Sequence, residues 1–240
     1  NVLRYQRFVN KNTRLGLIST NRYFKNGGYG NLFGTDGWFL FSKNWRLTYE
    51  LSLNFNEEPI ADWIDTEDSL TDRSIALNGE RFNGKSIYVQ LYRNTQNWKS
   101  YFTYKDISPD FQADLGFVVK NNRRWATIAH AYQIFPNKPA IQFFSIGSKA
   151  DVLYTYQDYL KTISIDGIIS LKTLFNTEIN YSYDWDVFKN FLGRDYKNLV
   201  SNRFDIQNNP SESFSMNINL TFGRDLAYNE ENPEIGKEFN

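Results

Sequence analysis

The stretch from Trp45 to Phe55, W-R-L-T-Y-E-L-S-L-N-F, constrains the fold more than any other. Its odd positions, Trp45, Leu47, Tyr49, Leu51, Leu53 and Phe55, are large and apolar, and its even positions, Arg46, Thr48, Glu50, Ser52 and Asn54, are polar. Successive strand side chains point to opposite faces, so the segment predicts a β-strand with one oily and one wet face; a helix would mix the two sets around its circumference. A strand of this length, at roughly 3.3 Å per residue and a tilt of about 45°, climbs roughly 25 Å. That is the height of the apolar band of an outer-membrane barrel, whereas strands of soluble sheets more often have about 5–6 residues.

The same alternation returns in Ser213–Gly223, where Phe214, Met216, Ile218, Leu220 and Phe222 share a face, and in Leu171–Tyr183, where Leu174 is the exception. Shorter strands are predicted over Arg14–Asn21, Asp36–Ser42, Trp98–Lys105, Leu115–Lys120 and Arg124–Phe135, with Lys43-Asn44 a tight turn. Asn83-Gly84 between Ser74–Phe82 and Ser86–Arg93 predicts a hairpin. Ile141–Tyr156 carries Gly147 midway and reads as one bulged strand or two short ones, and Asp166-Gly167 poses the same choice. Residues 1–12 read as a strand end or incoming linker, 22–34 as a glycine-rich loop, 56–73 as an acidic loop, 184–212 as a long aromatic and charged loop, and the tail from Arg224 as unpatterned. No helix with an apolar stripe and no shift of composition is found, so residues 1–240 read as one domain.

Aromatic residues make up 18% of the chain, which suits the aromatic girdles of a membrane barrel. Trp45, Trp98, Trp125 and Tyr183 stand near predicted strand ends and are the candidate membrane-interface residues. Leu47, Tyr49, Leu51, Leu53, Met216, Ile218 and Leu220 are the candidate lipid-facing residues. A mean hydropathy of -0.57 does not oppose this, because a barrel offers lipid only every second side chain. The net charge of +0 gives no reason to expect nucleic acid, and the absence of cysteine removes disulfides and thiolate chemistry. The chain lacks a starting Met and a signal peptide and reads as processed, or as a piece of something longer.

The chemical signals are weak. His130 is the only histidine and reads as a packed or girdle residue rather than part of a triad or metal site. The carboxylates of residues 57–72 lack the spacing and glycine of a calcium loop and read as solvated, as does the basic turn of Lys120, Arg123 and Arg124. No catalytic residue, cofactor or metal is expected.

Asp110-Phe111 followed by Leu115-Gly116-Phe117-Val118 resembles a Bacteroidota outer-membrane β-barrel family of unknown function, in which the barrel follows a domain like carbohydrate-binding family 9. Arg14-Leu15-Gly16 and Gly34-Thr35-Asp36 precede this core in the expected order, and Asn176–Tyr183 is similar to the later part of the same barrel. The carbohydrate-binding domain has no counterpart here, so its glycan role does not carry over. The resemblance implies an outer-membrane location.

The expectation is therefore an all-β, antiparallel transmembrane barrel of about 10–12 strands, at roughly twenty residues per strand and connection. It would be a non-enzymatic protein of transport, secretion or assembly, with outer-membrane lipid and other outer-membrane or periplasmic proteins as partners. The alternatives are a soluble all-β glycan-binding domain, since half-buried sheets also alternate, and an outer-membrane enzyme using the two long loops.

Overall fold

The computed structural model describes residues 1–25, 27–61, 69–70, 73–74, 76–113, 120–136, 138, 140–174, 176–211, 213–228 and 233–239. They form strands and connections. The strands are β1 (Val2–Asn10), β2 (Thr13–Tyr23), β3 (Tyr29–Ser42), β4 (Trp45–Glu57), β5 (Ser69–Leu70), β6 (Arg73–Ser74), β7 (Arg81–Asn94) and β8 (Trp98–Ile107). They continue as β9 (Arg123–Ile134), β10 (Ile141–Tyr154), β11 (Leu160–Thr173), β12 (Thr177–Phe191), β13 (Arg194–Ser211), β14 (Phe214–Leu226) and β15 (Ile235–Phe239). All except β5 and β6, which pair with each other, join one 13-stranded antiparallel sheet in sequence order. The strand number thus exceeds the expected 10–12. The order is compatible with a β-barrel, but β1 and β15 end it and it does not close into a ring.

The chain divides into two compact units. The first holds Asn1–Leu91, Thr103–Trp125 and Thr155–Asp158; the second holds Tyr92–Phe102, Ala126–Tyr154 and Tyr159–Asn240.

In the first unit the register sets Leu17 opposite Thr35 and Thr35 opposite Leu51, and likewise Ser19, Phe33 and Leu53 in one row. The intervening rows carry Gly16, Asp36 and Glu50, and Arg14, Trp38 and Thr48. One face is therefore apolar and the other charged, as the alternation requires. Ion pairs knit the charged face: Asp36 Oδ1 lies 2.5 Å from Arg4 Nη1, and its Oδ2 lies 3.6 Å from Arg14 Nη2. In the second unit Lys149, Asp166 and Asp184 form one polar row, while Ile165, Trp185 and Val200 belong to a row of the opposite face.

Several sequence expectations are corrected. The glycine-rich segment 22–34 is mostly strand: β2 ends at Tyr23 and β3 begins at Tyr29. Residues 1–12 hold β1, and the tail holds β15. The supposed long loop 184–212 is a hairpin of β12 and β13 around Leu192-Gly193, where φ is +49° and +78°. Both central residues at positive φ fit a type I′ turn, whose twist matches the flanking strands. Leu171–Tyr183 is two strands, and Leu174, the residue that broke its alternation, lies in the connection. Asn176, at φ +50°, precedes β12.

Asn83-Gly84 makes no hairpin; β7 runs straight through it. A Cβ on Gly84 would sit 2.5 Å from Cα and N of Phe111, so the glycine admits a backbone rather than a turn. β10 and β11 each run unbroken through Gly147 and Gly167, and the irregularities of their pairing fall near the strand ends. The expected strand Leu115–Lys120 and most of the acidic loop 56–73 lie outside the described residues.

Candidate functional site

The feature that sets this molecule apart from an ordinary sheet protein is where its polar side chains lie. Among the described residues the buried set contains nine polar or charged ones (Asn54, Asn56, Thr103, Asp106, Ser108, Thr127, Ser145, Asp151 and Thr221) and only five hydrophobic ones. The hydrophobic five are Leu32, Phe111, Tyr196, Leu199 and Leu226. Long apolar side chains are instead exposed along one face of successive strands: Leu17 is 58% exposed, Phe33 49%, Leu53 50%, Ile146 49% and Ile128 61%. A water-soluble fold buries its Leu, Ile and Phe and leaves polar groups outside; here the two are exchanged.

Several of the buried polar groups find local partners, as burial demands, while Asn56 Nδ2 has none among the described residues. Fully buried Asn54 donates through Nδ2 to the Asp110 carbonyl at 3.3 Å and accepts from the Gln112 N–H at 3.3 Å. It thereby holds residues 110–112 over the polar face of β4, beside Gly84. Asn121 Nδ2 donates to the carbonyls of Pro109 and Phe111, closing the same segment from its other side. In the second unit Thr127 Oγ1 donates to Asp151 at 2.5 Å, and Lys149 Nζ lies 3.0 Å from Asp151 and 2.7 Å from Asp166.

None of the seven candidate lipid-facing residues is buried. Leu51, Leu53, Met216, Ile218 and Leu220 are exposed, and Leu47 and Tyr49 are partly covered. Tyr49 stacks on Phe39 with centroids 6.0 Å apart, a lateral contact across the β3–β4 ladder. The four interface candidates divide. Trp45 begins β4 and stacks on Phe41 at 6.4 Å; Trp98 begins β8 and lies 4.4 Å from Tyr132 and 4.9 Å from His130. Tyr183 stands in the middle of β12 rather than at an end, because the strand runs on to Phe191. Trp125 takes Lys105 over its ring, and the same ammonium lies over Tyr88. By strand alternation Trp125 faces the side of β9 opposite to His130.

His130 accepts or donates one hydrogen bond, with Ser100 Oγ at 2.6 Å from Nδ1. No described carboxylate bonds the ring, so the pair lacks the third member that would orient a base. A polar cluster that the sequence did not signal surrounds Asp106: it accepts from the hydroxyls of Tyr104 and Tyr156, with Lys85 at 3.8 Å. Lys85 and Arg124 both lie over the Tyr156 ring. Burial, followed by the bond to Asp106, pushes the Tyr156 phenol above the usual tyrosine range. These residues come from four separate stretches, and only the fold assembles them.

Among the described residues no group of three His, Asp or Glu side chains is placed to hold a metal ion. No described helix is long and apolar enough to cross a membrane, which says nothing of a crossing made by strands. Compared with protein-family models, curated proteins and solved structures, the chain matches none.

Proposed function

We propose that this chain is a non-enzymatic outer-membrane β-barrel protein serving transport, secretion or assembly in the bacterial envelope, with lipid against its apolar face. The observation that carries the reading is the exchanged burial: polar side chains inside, aliphatic and aromatic ones outside, on strands of 9–18 residues in the first fourteen members of the chain other than β5 and β6. Exposed apolar area on this scale is costly in water and is satisfied by hydrocarbon. Inside a bilayer every backbone group must pair, so the open ends of the sheet would be completed by each other or by further strands. The resemblance to the Bacteroidota barrel family agrees with this reading; of its core, Leu115–Val118 lies outside the described residues.

The test is extraction and gel migration. The chain is expected to partition with outer membranes, to need detergent, and to migrate faster on a gel before boiling than after. Recovery as a monodisperse protein in aqueous buffer would overturn the assignment and favour a soluble sheet.

A further inference from the structure

On the polar face of the second unit lies an open cavity of about 430 Å³. Its floor is made of small residues, among them Ala129, Ala131 and Gly147. A Cβ on Gly147 would stand 3.0 Å from that of Ala131, so a larger side chain there would begin to fill the hollow. One wall is occupied internally: Lys149 is bound to Asp151 and Asp166. Four other polar groups of the lining, the phenols of Tyr92 and Tyr101, the Lys99 ammonium and the Asp184 carboxylate, make no hydrogen bond or ion pair with any described residue. Four polar groups without a described protein partner converging on one hollow of ligand size are what a binding site offers.

We infer that this cavity binds a short zwitterionic peptide, its carboxylate toward Lys99 and its ammonium toward Asp184. The two charges are opposite in sign, Asp184 standing within the field of Arg203 and Lys149 without bonding either, and lie on β8 and β12, four strand spacings or about 19 Å apart along the sheet. Both line the one cavity, and a lysine and an aspartate side chain leaning toward each other would bring that gap within the span of three or four extended residues at about 3.3 Å each. The phenols supply donors for the peptide carbonyls between the ends, and the small floor gives room for the backbone. A neutral sugar would satisfy the phenols but leave both charges unpaired. The inference stands on the cavity whether or not lipid covers the opposite face.

Binding is measured by calorimetry on the full chain, in whichever of detergent or aqueous buffer keeps it folded, with trialanine and tetra-alanine as probes. Free-ended peptide is expected to bind, and acetylation of its amine or amidation of its carboxyl each to weaken binding about tenfold. In Asp184→Asn the free and N-acetylated peptides should bind alike; in Lys99→Gln the free and C-amidated peptides should. Ala131→Leu should abolish binding while leaving gel migration unchanged. Equal binding of fully capped peptide, preference for maltotriose, or no binding of either free peptide to folded protein would overturn the inference.

Discussion

At the scale of single residues, two positions reveal how the polar face is held. Gly84 exists because the backbone at Phe111 needs the space of a side chain. Gly84→Val is expected to destabilise the folded chain by about 1–3 kcal/mol, the usual cost of overpacking, read from a lower temperature of the heat-induced gel shift. Asn54→Leu removes both bonds that a fully buried side chain makes to residues 110–112, which should cost about 1–3 kcal/mol. Tyr156 offers a titration test. Its phenol pKa is raised on folding, so its stabilising contribution is full below the ordinary tyrosine range and is lost as pH rises through the raised value. Tyrosinate absorbance of the native protein should therefore show one fewer late-ionising phenol in Tyr156→Phe than in the parent chain; identical native titration curves would refute it.

At the scale of elements, the hairpins decide the register. Leu192 occupies a position of positive φ that glycine or asparagine tolerates better. Leu192→Asn is expected to stabilise the β12–β13 hairpin by about 1 kcal/mol, seen as a higher unfolding midpoint. A lower midpoint would mean that the exposed leucine contributes contacts outweighing its backbone strain. The elements also show where sequence reading succeeds. Lys43-Asn44 and the long strand after it were legible, because the alternation is unbroken and the turn is polar. The β12–β13 hairpin was hidden because a Leu-Gly turn between Phe191 and Arg194 lacks the usual polar signature. Asn83-Gly84 misled for the converse reason: a turn dipeptide was serving a close backbone approach.

At the scale of the whole molecule, the membrane reading makes opposite predictions for neighbouring residues. Leu53→Arg, on the exposed apolar face, should cost up to about 2–4 kcal/mol in a bilayer if it lies near the midplane, whereas Ser52→Arg, on the polar face, should be tolerated. In a water-soluble sheet a half-exposed leucine would accept arginine with little loss, so refolding into lipid vesicles separates the two cases. Orientation is also testable. In the first unit the turns Lys11-Asn12 and Lys43-Asn44 lie at one end of the strands, while residues 24–28, 58–80 and 108–122 connect the other. Long connections face outward in outer-membrane barrels. The chain has no cysteine, so Lys25→Cys should be labelled on intact cells by an impermeant maleimide and Asn44→Cys should not; the reverse pattern would invert the orientation.

The sequence alone determined that the chain is all-β and two-faced, because a period of two needs no knowledge of neighbours. It marked Leu51, Leu53, Ile218 and Leu220 as one oily set, but not which side of the sheet would be covered, since alternation is the same for a buried face and an exposed one. That choice, the Lys105 ammonium over Trp125, the cluster at Asp106 and the hollow between Lys99 and Asp184 belong to tertiary structure. Each brings together side chains from strands distant in the chain, and pairing register, which local pattern does not encode, sets who meets whom.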